Sequence, residues 1–246
     1  MADEKESKKP IVKKKALLSK KKKSWFQIVA PDIFGKAVIG ETIIEDSKQL
    51  MGKCIELSLM SLTGDMKKQN VNVTFRVDKV FEGKGQTQLI AYDLTPASIK
   101  RLVRRGRMRV DASFVCQSKD GVKIRVKPFL LTAHETNKSI VSSLRKYASA
   151  FIATYVSLYD YDVIFKDIVS GKLQAGVRQA VHTIYPIRSS EIRMFHLLKD
   201  SIAVTALPNP NINVEKILEA ASQARQARRP MPQRQEQPRS EEPAAA

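Results

Sequence analysis

Ten cations crowd into the stretch 95–129, and their spacing is the first sign of chemistry in this chain. Lys100, Arg101, Arg104 and Arg105 surround an apolar stripe of Ile99, Leu102 and Val103 at helical i, i+3, i+4 spacing. Thr95 suits the helix N-cap, Pro96 the first turn and Gly106 the C′ position. The positive charges thus gather at the C-terminal turn, where the helix dipole favours them. The chain then alternates: Met108, Val110, Ala112 and Phe114 point one way, Arg107, Arg109 and Asp111 the other. After a turn, Val122, Ile124 and Val126 alternate with Lys123, Arg125 and Lys127. Cations of this density and orientation suit a polyanion.

Parity decides the turn. A two-residue loop at Asp120-Gly121 would set Cys116 opposite Arg125 and scramble the two faces. A three-residue loop, Lys119-Asp120-Gly121, pairs Cys116 with Ile124 and Phe114 with Val126. Gly121 then takes the left-handed position of a type I turn with a G1 bulge. In that register Arg107, Arg109, Lys123, Arg125 and Lys127 share one ribbon face, with Asp111 its single acid.

Catalytic sets are missing. His134, His182 and His196 are isolated, and no Cys/His or Asp/Glu group has metal-ligand spacing. There is no nucleophile elbow, Walker loop or dinucleotide fingerprint. Gly83-Lys84-Gly85 reads as a turn before a strand, not as a phosphate loop. No cofactor or metal is expected, and binding is a better reading than catalysis.

The elements that position the cations are a β-rich first half and a helical second half. Ile55, Leu57 and Leu59 alternate with polar residues up to a turn at Thr63-Gly64-Asp65. Val71, Val73, Phe75 and Val77 alternate strictly with Asn72, Thr74, Arg76 and Asp78, and a further strand is expected over about 87–93. Ile140, Leu144, Tyr147, Phe151, Tyr155 and Leu158 keep a helical stripe whose aromatics belong to the core rather than to a base-stacking platform. Asp162 can cap a second helix stopped by Gly171, and 173–184 suggests a third, ended by Tyr185-Pro186. Ile192, Met194, Leu197 and Leu198 belong to a last element, read as a strand in preference to a helix, and a helix over about 214–227 is possible.

Composition bounds the partners. Over 246 residues, 43 Lys+Arg against 25 Asp+Glu give a net charge of +18, which points to nucleic acid, with an anionic membrane surface as competitor. A hydrophobic content of 43% is enough for a real core. The N-terminal 24 residues are a lysine tail carrying Lys13, Lys14, Lys15, Lys20, Lys21, Lys22 and Lys23, expected to be disordered until it meets an anion. Beyond Arg228 the chain turns to Pro, Gln, Arg, Glu and Ala, so 229–246 is expected to be a disordered tail. Cys54 and Cys116 read as separate buried thiols of a reducing compartment. The longest uncharged runs, 148–159 and 201–214, are too short to span a bilayer, so a soluble intracellular protein is expected.

Several stretches resemble a small-ribosomal-subunit protein family shared by archaea and eukaryotes, the S-three-a-e or S-one-e family. They include Trp25-Phe26-Gln27-Ile28-Val29-Ala30-Pro31, Ile39-Gly40-Glu41-Thr42, Leu62-Thr63-Gly64-Asp65, Asp93-Leu94-Thr95 and Leu102-Val103-Arg104-Arg105. Further on come Lys119-Asp120-Gly121, Ile168-Val169-Ser170-Gly171-Lys172-Leu173, Ile184-Tyr185-Pro186-Ile187-Arg188 and Glu191-Ile192-Arg193. The match runs in order over about 25–200, with wording closer to archaeal members. It implies a component of the small-subunit platform near the mRNA exit, packed on rRNA close to its 3′ region.

The expected architecture is α+β: a mainly antiparallel sheet, curled or closed into a barrel, with helices of the second half packed on it. One globular domain is expected over 25–205, then a linker and possible helix over 206–228. The expected function is structural rRNA binding in a cytoplasmic, ribosome-bound protein with neighbouring ribosomal proteins, mRNA nearby, no membrane and no homo-oligomer. The alternative is an RNA-modifying or processing enzyme whose catalytic residues form no linear motif.

Overall fold

A computed structural model describes residues 23–81, 83–198, 202–205, 216–220 and 223. The expected lysine tail up to residue 22 and the C-terminal tail lie outside the described residues, so Lys23 is the one tail lysine with a described position, exposed just before β1. Among the described residues, nine strands form one sheet. In chain order these are β1 (Ser24–Val29), β2 (Val38–Ile44), β3 (Cys54–Ser58), β4 (Val71–Phe81), β5 (Lys84–Leu94), β6 (Arg109–Asp111), β7 (Phe114–Gln117), β8 (Lys123–Thr132) and β9 (Ile187–Leu197). The helices are α1 (Leu59–Thr63), α2 (Pro96–Leu102), α3 (Lys138–Leu158), α4 (Tyr161–Ser170) and α5 (Lys172–His182).

β5 is the hub of the sheet. β4 covers one of its edges, while β1 and β9 divide the other, β1 at Lys84–Gln86 and β9 at Ala91–Asp93. The β1–β5 pair is parallel and the other described pairs are antiparallel. The strand path runs β2-β1-β5-β9-β8-β6 without returning on itself. The architecture is therefore α+β as expected, but the sheet is mixed and open, not a barrel. The path ends at β2 and β6, which are not paired with each other among the described residues, so the sheet does not close.

Alternation in the sequence translates directly into burial. Val71, Val73, Phe75 and Val77 are buried on β4, as a half-buried strand of period two requires. The stripe of α3 buries Leu144, Phe151 and Tyr155, but it stops there, and Leu158 is exposed. Phe165 of α4 sits amid Phe34, Tyr92 and Phe195 at centroid distances of 6.2–6.4 Å, in edge-on contacts favoured by ring quadrupoles. The Tyr161 hydroxyl donates to the Leu89 carbonyl at 3.0 Å, fastening α4 to β5. The Tyr155 hydroxyl donates to the Asp167 carboxylate, fastening α3 to α4. Residues 216–220 are helical and bring Leu218 into the same core, inside the range where a last helix was expected.

Several local expectations change. α2 ends at Leu102 because Val103 is extended (φ −73°, ψ 124°), so Arg104 and Arg105 lie on a turn beyond the helix. Gly106 does hold a left-handed φ of +72°, but in that turn and not at the helix C′ position. Asp160, not Asp162, is the N-cap residue of α4, two residues earlier than the apolar pattern alone suggested. Gly83 turns the β4–β5 hairpin, whereas Gly85 lies inside β5. A Cβ at Gly85 would stand 2.9 Å from Leu50 Cδ2, so this glycine serves close packing. Cys116 is buried, and burial pushes its thiol up to about 12, but Cys54 is exposed on edge strand β3.

Candidate nucleic-acid interface

The ribbon forms in the register that parity required. Phe114 pairs with Val126 and Cys116 with Ile124, while Val115 faces Arg125 and Gln117 faces Lys123. Gly121 holds φ +80° and donates its N–H to the Ser118 carbonyl at 3.0 Å. The tip is anchored: the Asp120 carboxylate accepts the Tyr161 N–H at 2.9 Å, satisfying an otherwise unpaired donor at the start of α4. A loop residue that sequence marks only as a turn former thus ties the hairpin to the helices.

One register runs through the whole ribbon, since Arg109 faces Leu131, Asp111 faces Phe129 and Val115 faces Arg125. Arg109, Lys123, Arg125 and Lys127 therefore project to one side. At about 3.3 Å per residue, the set spans roughly 26 Å along β8. Lys123, Arg125 and Lys127 are each half-buried on β8. Arg107, half-buried, stands just before the ladder, where the Met108 N–H donates to Thr132 Oγ1 at 2.9 Å.

Arg109 is not a free charge. Its Nε and an Nη both meet Asp111 Oδ2 at 2.6 Å, and its guanidinium lies 5.6 Å from the centre of the Phe129 ring. Such a half-exposed pair contributes little stability but fixes the guanidinium plane. On α2, Lys100 and Arg101 are exposed, and Arg101 donates to Asn70 Oδ1 at 2.7 Å. Arg104 and Arg105 are exposed on the following turn.

β9 adds residues that the linear pattern did not assign. It pairs Met194 with Lys127 and His196 with Arg125. His196 meets the Asp93 carboxylate of β5 at 2.7 Å, extending the charged row across the sheet. Pro128 cannot donate to the ladder, and the register slips between Lys127 and Pro128. Exposed Arg193 sits at this slip and lines a hollow of about 370 Å³ with Lys127 and Asp111. The sequence marks β9 as a strand but carries no sign of which strand it joins. Among the described residues no group of three or more His, Cys, Asp or Glu is placed to hold a metal ion.

Residues 12–201 match the Ribosomal S3Ae family. The chain belongs to that family. Small ribosomal subunit protein eS1 of Sulfurisphaera tokodaii is 36% identical over 179 residues, covering 73% of this chain and 93% of that protein. The eS1 protein of Methanothrix thermoacetophila is 31% identical over 195 residues, covering 78% and 92%. That of Halorubrum lacusprofundi is 31% identical over 203 residues, covering 80% and 92%. The family match takes in the ribbon, α2, the bulged β9 and part of the lysine-rich start, so every candidate contact lies within it.

Proposed function

We propose that the protein is a structural component of the small ribosomal subunit that binds rRNA. The observation that carries this reading is membership of the Ribosomal S3Ae family over 12–201, with relatives named small ribosomal subunit protein eS1 along nearly their whole length. Its rRNA-binding surface comprises Lys100, Arg101, Arg104 and Arg105, the ribbon cations Arg107, Arg109, Lys123, Arg125 and Lys127, and the tail lysines 13–15 and 20–23. Cations on a folded frame neutralise phosphates and release counterions, and the frame selects which phosphates are reached. Arginine's planar fork can bridge two phosphate oxygens, which gives the Arg set the geometric role and the lysines the bulk charge. On an A-form duplex such contacts fall on backbone and 2′-hydroxyls in the shallow minor groove.

Its position is the subunit platform near the mRNA exit, in the cytoplasm, beside other ribosomal proteins. The folded unit is one domain over 25–205 with basic and polar tails. No described helix is long and apolar enough to cross a membrane. Sedimentation with small subunits through a high-salt wash tests the assignment. Stoichiometric recovery in the subunit peak is the expected result. Release into the supernatant, or cofactor-dependent turnover of RNA by the purified protein, would overturn it.

A further inference from the structure

We infer that the outer face of the sheet at its β2-β1-β5-β4 end is a stacking platform for unpaired bases of the rRNA, built on Trp25 and Phe81. This rests on the rRNA-binding reading and adds to the ribbon a second surface, one for single strand. The pairing fixes the face. Trp25 stands opposite Ile43 of β2, Gln27 stands between Glu41 of β2 and Lys84 of β5, and Lys84 stands opposite Phe81 of β4. Paired residues project to the same side of a sheet, as do residues two apart on one strand. These six side chains therefore share one side. The alternate residues Phe26, Ile28, Ile44 and Val80 turn the other way, into a small core cluster with Leu50 and Val77.

Two large rings are left in water on that side. Trp25 is 66% and Phe81 65% exposed, and Ile43 opposite Trp25 is 49% exposed. A solvent-facing strand position ordinarily carries a polar side chain, and large apolar groups gathered on one exposed face mark a binding surface. From strand spacing and rise, the Cα atoms of Trp25 and Phe81 lie roughly 12 Å apart, close enough for neighbouring bases of one strand to cover both. A hollow of about 430 Å³ opens beside Phe81, lined by Lys48, Met51, Lys79 and Gln86 among others.

Charge selects the occupant. Lys84 stands on the strand between the two rings, exposed Lys48 and Lys79 line the hollow beside Phe81, and exposed Lys23 precedes Trp25. Among the described residues no ion pair engages these four lysines. The acid on this face, Glu41, accepts from the Gln27 amide at 3.3 Å, and Glu45 stands just past the end of β2. Rings interleaved with lysines suit single-stranded nucleic acid, whose bases stack on the rings while the lysines follow the phosphates. A protein partner fits less well, since the centres of such interfaces are depleted of lysine. A bilayer fits less well too, because insertion needs a continuous apolar face and Gln27, Glu41 and Gln86 interrupt this one. Stacking is tolerant of sequence, so the platform holds unpaired bases without reading them. The subunit's own rRNA supplies permanent cover for the rings, whereas a passing strand would leave them in water.

Trp25 is the single tryptophan of the chain, so its fluorescence reports this site alone. With the full chain, an unstructured single-stranded RNA oligonucleotide should quench that emission to saturation, while a fully paired hairpin should bind through its phosphates without quenching. Phe81→Ala should weaken single-strand binding roughly tenfold, the scale of one lost stacked base, and leave hairpin affinity unchanged. Followed by anisotropy of a labelled oligonucleotide, Trp25→Phe should keep most of the single-strand binding and Trp25→Ala should lose it. In small subunits assembled with the Trp25→Ala protein, an unpaired rRNA segment should become more reactive to base-modifying reagents, with or without mRNA. Absence of quenching by the single strand, with salt-dependent binding of the hairpin intact, would overturn the platform and leave the rRNA reading standing. A reactivity change seen only with mRNA bound, or quenching by anionic vesicles and not by RNA, would also overturn it. Absence of salt-dependent binding to any RNA would overturn both.

Discussion

Gly121 and Glu191 show how single residues carry weight in this fold. Gly121 holds φ +80° at the G1 position of the ribbon turn, where a β-branched side chain is strained. Gly121→Val should therefore destabilise the protein by about 1–2 kcal/mol, read as a lowered midpoint in denaturant. Unchanged stability would show that the turn does not need the left-handed geometry. Glu191 has its carboxyl raised by burial, so the folded state holds this proton at pH values where the unfolded chain has released it. Stability from this group is complete below the unfolded carboxyl value and is lost as pH rises through the folded one. Glu191→Gln should thus gain melting temperature relative to wild type at neutral pH, and the gain should vanish as the solution is acidified below the ordinary carboxylate range. A difference that does not change with pH would show that the carboxyl is not perturbed in solution.

At the scale of elements, the ribbon and the α2 turn are proposed to act as one charged surface, joined by a short link. Arg104 lies on the turn, Arg107 just before β6 and Arg125 in mid-β8, all outside the core. Reversing the three to Glu leaves every apolar position intact; Arg104 is exposed and Arg107 and Arg125 are half-buried, and charges at a protein surface contribute about 1 kcal/mol or less each to folding. The variant should fold, checked by circular dichroism, yet lose in competition with wild type for incorporation into small subunits. Its log–log salt slope for rRNA should drop by roughly 2–3 if each residue neutralises one phosphate. A folded variant that assembles as well as wild type would mean that this face looks at solvent.

For the whole molecule, the charge of +18 divides between the lysine-rich start and a folded body whose cations are held in place. On the proposed reading, the folded body would confer geometry and the N-terminal lysines would add attraction that depends on counterion release. Removing residues 1–24 should weaken rRNA binding and flatten its salt dependence while melting stays cooperative. Binding unchanged at low and moderate salt would remove the tail from the interface.

Sequence by itself determined the local order of this protein: the strict alternation of β4, the register of the Lys119-Asp120-Gly121 turn, the stripe of α3 and the stop at Gly171. Each is set by neighbours a few residues apart, where backbone sterics and burial period act directly. It also determined that Arg109, Lys123, Arg125 and Lys127 share a face, because parity along one hairpin suffices. Only the tertiary structure decided what lies beside them. The pairing of β9 with both β5 and β8 brings His196 to Asp93, 103 residues away, and Arg193 to Lys127. Long-range pairing depends on which edges remain open after the helices pack, and no local pattern encodes that. The same holds for Tyr92 of β5, Gln174 of α5 and Glu191 of β9, which line one cleft beside α2 and carry no spacing signal.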